Sequence, residues 1–110
     1  MQRLCSLLDI PDTAAKGFLI DDHALFAVRK ADEVFVYLNQ CPHRGIALEW
    51  LPDQFLDAEK QYIQCATHGA LFTVEQGECV AGPCPGERLT AITCELRDSE
   101  VWIDLTSMSD

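Results

Sequence analysis

Two short stretches, CPHRG at 41–45 and CATHG at 65–69, each place a cysteine and a histidine close together and end on a glycine. The first follows VYLNQ and the second follows YIQ, so each pair stands where a β-rich run gives way to a loop. Loops at strand ends can be brought to one point even when residues 44–64 separate them. Cys41, His43, Cys65 and His68 would then offer two thiols and two imidazoles to a single metal centre.

The rest of the chain favours strands almost everywhere, because runs of four to six β-formers are separated by turn residues at short intervals. QRLCSLL at 2–8 predicts a first strand and GFLI at 17–20 a second. ALFAVR, KADE and VFVYL, together 24–38, predict a hairpin; LFTV, EQGE and CVAG, at 71–82, predict another. LTAITCELRDSEVWIDL at 89–105 predicts a third, turning at RDSE. The stretch 46–60 is broken by Pro52 and reads as a loop with at most one helical turn, and GPCPG at 82–86 is irregular because each proline fixes φ and removes a donor. The expected fold is all-β: a small antiparallel sandwich or incomplete barrel.

At 110 residues, with 48% hydrophobic and 24% charged content, the sequence predicts one domain over 1–110. Its longest apolar runs, LFAV at 25–28 and VFVYL at 34–38, fall far short of the roughly 20 residues that span a bilayer. A net charge of −10 argues against nucleic acid or an anionic membrane as partner and makes a basic protein surface the natural complement. Six cysteines would suit a disulfide scaffold only in an oxidising compartment. MQRLCSLLDIPD does not read as a signal peptide, so a cytoplasmic setting is expected.

Two thiols and two imidazoles suit zinc or an iron–sulfur centre. Zinc fingers usually keep like ligands together, whereas each loop here carries one of each kind, which suits a two-iron cluster. Gly45 and Gly69 let the backbone approach a bound group closely. The pattern C-x-H, then residues 44–64, then C-x-x-H resembles the Rieske [2Fe-2S] proteins, in which two histidines replace two cysteines on one iron. The likeness runs from about Val34 to Leu105 and includes a proline loop, Gly82 to Pro85, at the place of the loop that covers the cluster.

The resemblance implies one [2Fe-2S] cluster per chain, held by Cys41, His43, Cys65 and His68 in a cluster-binding region of about 39–86. Around it would lie Arg44, Gly45, Gly69, Ala70, Phe72, Gly82 and Pro83. High-potential members carry two further cysteines where this chain has Ile46 and Thr67, and serine and tyrosine hydroxyls where it has Ala70 and Phe72. Without those donors to sulfur the chain resembles the low-potential branch, which includes bacterial ferredoxins and the small subunit of nitrite reductase. It departs from the common ferredoxin pattern at Ala66, where proline is frequent.

The implied function is a soluble carrier passing single electrons from a reductase to a terminal oxidoreductase such as an oxygenase, with no chemistry of its own. The alternative is a small subunit or redox-responsive module of one larger enzyme. Among the remaining residues, His23 reads as a turn residue, and Cys5 and Cys94 as core thiols. Phe72 reads as the anchor of its ligand loop, Cys79 and Cys84 flank the covering turn, and Trp50 and Phe55 close a satellite core or form a docking patch.

Overall fold

Leu25, Phe26, Ala27 and Val28 are apolar in unbroken succession, and all four are buried. Successive side chains of a strand point to opposite faces, so such a run needs a core on each side. β3 (His23–Lys30) and its partner β4 (Glu33–Leu38) occupy that position. Leu25, Ala27, Val34 and Val36 enter one core, while Phe26, Val28 and Tyr37 enter another.

The computed structural model describes residues 2–20, 23–39, 56, 61–64, 70–82 and 87–105, which form two antiparallel sheets. In the larger, β1 (Gln2–Ser6), β9 (Glu100–Asp104), β8 (Ala91–Arg97), β4, β3 and β2 (Ala14–Ile20) lie side by side in that order. The sheet curls on itself, because Cys5 of β1 shares a core with Leu25 and Ala27 of β3, with Phe18 and Ile20 of β2 packed against it. Ile92, Val101 and Ile103 complete this inner core, and Leu7 and Ile10 close one end. The result is a half-barrel whose terminal strands are zipped together, Gln2 opposite Ile103.

β5 (Tyr62–Gln64), β6 (Leu71–Thr73) and β7 (Cys79–Ala81) form the small sheet, with β6 in the middle. Ile63, Phe72, Val74 and Cys79 bury against Phe26, Val28 and Tyr37, so the small sheet covers the outer face of β3 and β4. Leu56, the one described residue of the 46–60 stretch, bridges to Ile63 and packs on this outer core. Trp50 and Phe55 lie outside the described residues.

The all-β expectation and all three hairpins are present. Asp98 and Ser99, at φ 50° and 63°, make a two-residue turn whose left-handed backbone matches the twist of β8 and β9. Two boundaries differ. The first strand stops at Ser6, because the Ser6 hydroxyl accepts from the Leu8 amide and the Asp9 carboxylate accepts from the Ser6 amide, capping a 3-10 turn at Leu7–Asp9. The second starts at Ala14, three residues earlier than expected, since the β2–β3 ladder continues from Ile20 opposite His23 to Ala14 opposite Arg29. His23 is accordingly the exposed first residue of β3 rather than a turn residue. Among the described residues, no helix is long and apolar enough to cross a membrane.

Candidate metal centre

Cys41, His43, Cys65 and His68 lie outside the described residues, as do Arg44, Gly45, Ile46, Thr67, Gly69, Pro83 and Cys84. The structure describes the strands that flank them in sequence. At the end of β4 the Leu38 amide donates to the Thr90 carbonyl at 2.9 Å and the Asn39 amide to the Ala24 carbonyl at 2.8 Å. The backbone is therefore held to within two residues of Cys41. Gln64 and Leu71 stand opposite one another in the β5–β6 ladder, and Cys65 and His68 lie in the sequence between them.

Ala70 and Phe72 are fully buried in the outer core. Phe72 lies on the central strand, paired with Ile63 on one side and Cys79 on the other. Gly82, at the start of the proline loop, has φ of 102°, and a Cβ there would come 2.6 Å from the Ala70 Cα. The backbone at Gly82 thus presses directly on the residue that follows the second loop. Only glycine permits both that φ and that approach.

Tyr37 was not singled out by the sequence, yet it connects the two halves of the frame. Its hydroxyl donates to the Val74 carbonyl at 2.5 Å, its ring lies 5.8 Å from that of Phe26, and a Cβ on Gly77 would come 2.7 Å from its Cε1. Burial, with a smaller contribution from the Glu75 charge, pushes the Tyr37 phenol well above its ordinary range. Period two puts Tyr37 on the face of β4 opposite Val34 and Val36, and the small sheet that buries this face left no signal in the sequence. An exposed tie runs alongside: Lys30 Nζ donates to Glu75 at 2.8 Å and draws that carboxyl below its usual range.

Three thiols lie among the described residues. Cys5 is buried in the inner core, and Cys94 is half-buried with its thiol donating to the Val34 carbonyl at 3.2 Å; burial pushes both above the ordinary thiol range. Cys79 is buried and donates to the Ala81 carbonyl at 3.3 Å.

The model of the Rieske [2Fe-2S] domain matches residues 1–100. The chain belongs to the Rieske [2Fe-2S] domain family. A relative, sulredoxin of Sulfurisphaera tokodaii (strain DSM 16993 / JCM 10545 / NBRC 100140 / 7), is 28% identical over 91 residues, spanning 78% of this chain and 79% of sulredoxin. Among solved Rieske structures, the ferredoxin of carbazole 1,9a-dioxygenase from Nocardioides aromaticivorans IC177 superposes with a TM-score of 0.75 at 25% identity, over 92% of this chain and 93% of that one. The Sphingomonas yanoikuyae B1 ferredoxin superposes with a TM-score of 0.72 at 26% identity, over 93% and 95%.

A Rieske domain implies a [2Fe-2S] cluster, and this chain fits one on two counts. The sequence offers two thiols, Cys41 and Cys65, and two imidazoles, His43 and His68, as candidate donors of the kinds such a cluster takes. The frame also holds a backbone approach, Gly82 on Ala70, that a side chain would fill.

Proposed function

We propose that this chain is a soluble cytoplasmic carrier of single electrons, one domain over 1–110, holding one [2Fe-2S] cluster in its 39–86 region. What supports the reading is the Rieske family match over residues 1–100, together with strands β4 and β5, which end at Leu38 and Gln64, shortly before the two Cys/His pairs in sequence. Cys41 and Cys65 supply thiolates, His43 and His68 imidazoles. When bound, the cluster takes up and gives back one electron and makes no covalent bond to a substrate.

The protein's own residues do the rest. Gly45 and Gly69 allow the loops to close tightly, while Gly82 and Pro83 begin the cover. Ala70 and Phe72 bring apolar surface and no hydroxyl to the end of the second loop, which keeps the potential toward the low end of the Rieske range of about −150 to +300 mV. With 18 acidic against 8 basic side chains, the carrier suits a reductase and a terminal oxidoreductase that present basic docking surfaces. The likeness to a carbazole dioxygenase ferredoxin favours an oxygenase as the terminal partner.

Iron and sulfide analysis of anaerobically purified protein tests the assignment. About two iron and two sulfide per chain, with a Rieske electron paramagnetic resonance (EPR) signal, is the expected result. Stoichiometric zinc without sulfide overturns it.

A further inference from the structure

The two ligand loops issue from different parts of the fold. Cys41 follows β4, a strand of the half-barrel, whereas Cys65 and His68 lie between β5 and β6 of the small sheet. A centre held jointly by both loops depends on how the small sheet is seated on the barrel. We propose that Tyr37 is a positioning residue for the metal centre, its hydroxyl fixing the hairpin that carries the second ligand loop against the strand that carries the first. The inference rests on the proposed cluster and its four ligands.

From Tyr37 to the first loop the path is short. Leu38 and Asn39 follow, both with their amides bonded, and then comes the loop. On the other side Val74 directly follows β6, and three residues of strand separate it from Ala70. The hydroxyl therefore joins the two loops through two rigid pieces of backbone. Its direction is fixed as well. Phe26 packs against the ring, and Gly77 leaves room for it only because glycine has no Cβ. Val74 is buried, so its carbonyl has little access to water as a substitute donor. The parallel tie between Lys30 and Glu75 is exposed on both sides and screened, which leaves the buried bond as the stiffer connection.

The test compares Tyr37→Phe with Ile103→Val in purified holoprotein. The first removes one hydroxyl and keeps the ring; the second trims the inner core, away from the small sheet. Tyr37→Phe is expected to displace the EPR g values and the reduction potential and to speed iron release to a chelator roughly threefold to tenfold, the factor that one buried hydrogen bond carries. Ile103→Val is expected to leave g values and potential at the wild-type position. Gly77→Ala, which drives a methyl group toward the ring, should displace the same signals and serves if Tyr37→Phe does not accumulate.

Wild-type g values, potential and release rate in both Tyr37→Phe and Gly77→Ala, or in Gly77→Ala alone should Tyr37→Phe not accumulate, overturn the proposal. So does an equal displacement in Ile103→Val, since generic loosening would then suffice. A wild-type protein without a Rieske signal is a different failure: it overturns the reading of the chain as a cluster carrier, and the role of Tyr37 with it.

Discussion

The two cores are built differently although β3 and β4 contribute to both. The buried members of the inner core are aliphatic apart from the Cys5 thiol, with Phe18 and Cys94 only partly buried at its margin, and its walls include β2 and β3, strands of seven and eight residues. The outer core contains Phe26, Tyr37 and Phe72 and is roofed by three strands of three residues each. Long ladders and branched side chains make the inner core a source of stability that tolerates small shape changes. The outer core has few ladder bonds and depends on single contacts: one buried hydroxyl, one glycine against a ring, one glycine against Ala70. The long ladders border one core, and the short strands that flank Cys65 and His68 in sequence border the other.

The contrast is broken most completely by the ligands themselves. Alanine at His43 or His68 is expected to abolish the Rieske spectrum while the half-barrel stays folded, read by EPR beside circular dichroism and urea unfolding. Loss of the barrel together with the signal would show that the two regions are not separable.

Next in size are deletions in the cores. Phe72→Ala should lower stability by about 3–5 kcal/mol and also release the cluster, whereas Ile103→Ala should lower it by about 2–5 kcal/mol with the spectrum of the folded fraction unchanged. Urea midpoints and EPR on the same samples separate these outcomes. Gly82→Ala combines an unfavourable φ with a backbone collision, so a loss of about 1–3 kcal/mol is expected together with a shift in potential.

A finer test adds donors instead of removing contacts. Ala70→Ser and Phe72→Tyr should each raise the reduction potential, the pair more than either, because hydrogen bonds to sulfur favour the reduced state. No rise in a variant whose structure shows both bonds formed would mean that burial or net charge sets the potential.

The smallest effect is on pH dependence. Burial raises the folded-state Tyr37 pKa above the unfolded value of about 10, so its contribution is complete below that pH and declines as pH rises toward the folded value. Cys5 and Cys94 act with the same sign from about pH 8.5 upward. Glu75 has the opposite behaviour: its lowered value contributes above about pH 4 and is lost as acid protonates it. Urea midpoints from pH 8 to 11 should fall, and Tyr37→Phe should flatten the part of the fall above pH 10.

Where structure is written in adjacent residues, the sequence was readable: RDSE announces a turn that the chain makes with Asp98 and Ser99. CPHRG and CATHG carried the resemblance to the Rieske family that the family match shows, while their residues lie outside the described ones. The unbroken run at 25–28 was legible as a strand but not as a strand between two cores, since that depends on what covers its second face. The Ser6–Asp9 cap was present as a local pattern and outweighed the apolar continuity of Leu7 and Leu8. The Tyr37–Val74 bond and the Gly82–Ala70 contact were not legible. Each joins residues whose separation in sequence carries no signal, and each exists only because the small sheet docks on the barrel.

The pairing of Gln2 with Ile103 also bears on how the molecule is made. Among the described strands β1 pairs only with β9, so β1 leaves the ribosome long before its partner is made. Closing a segment that long is an entropically expensive, late event. The β3–β4 hairpin and the β5–β6–β7 meander form by local steps in the meantime. The small sheet and the strands it covers are thus expected to assemble during synthesis, while the far edge of the sheet remains unzipped and vulnerable to aggregation until β9 has been made.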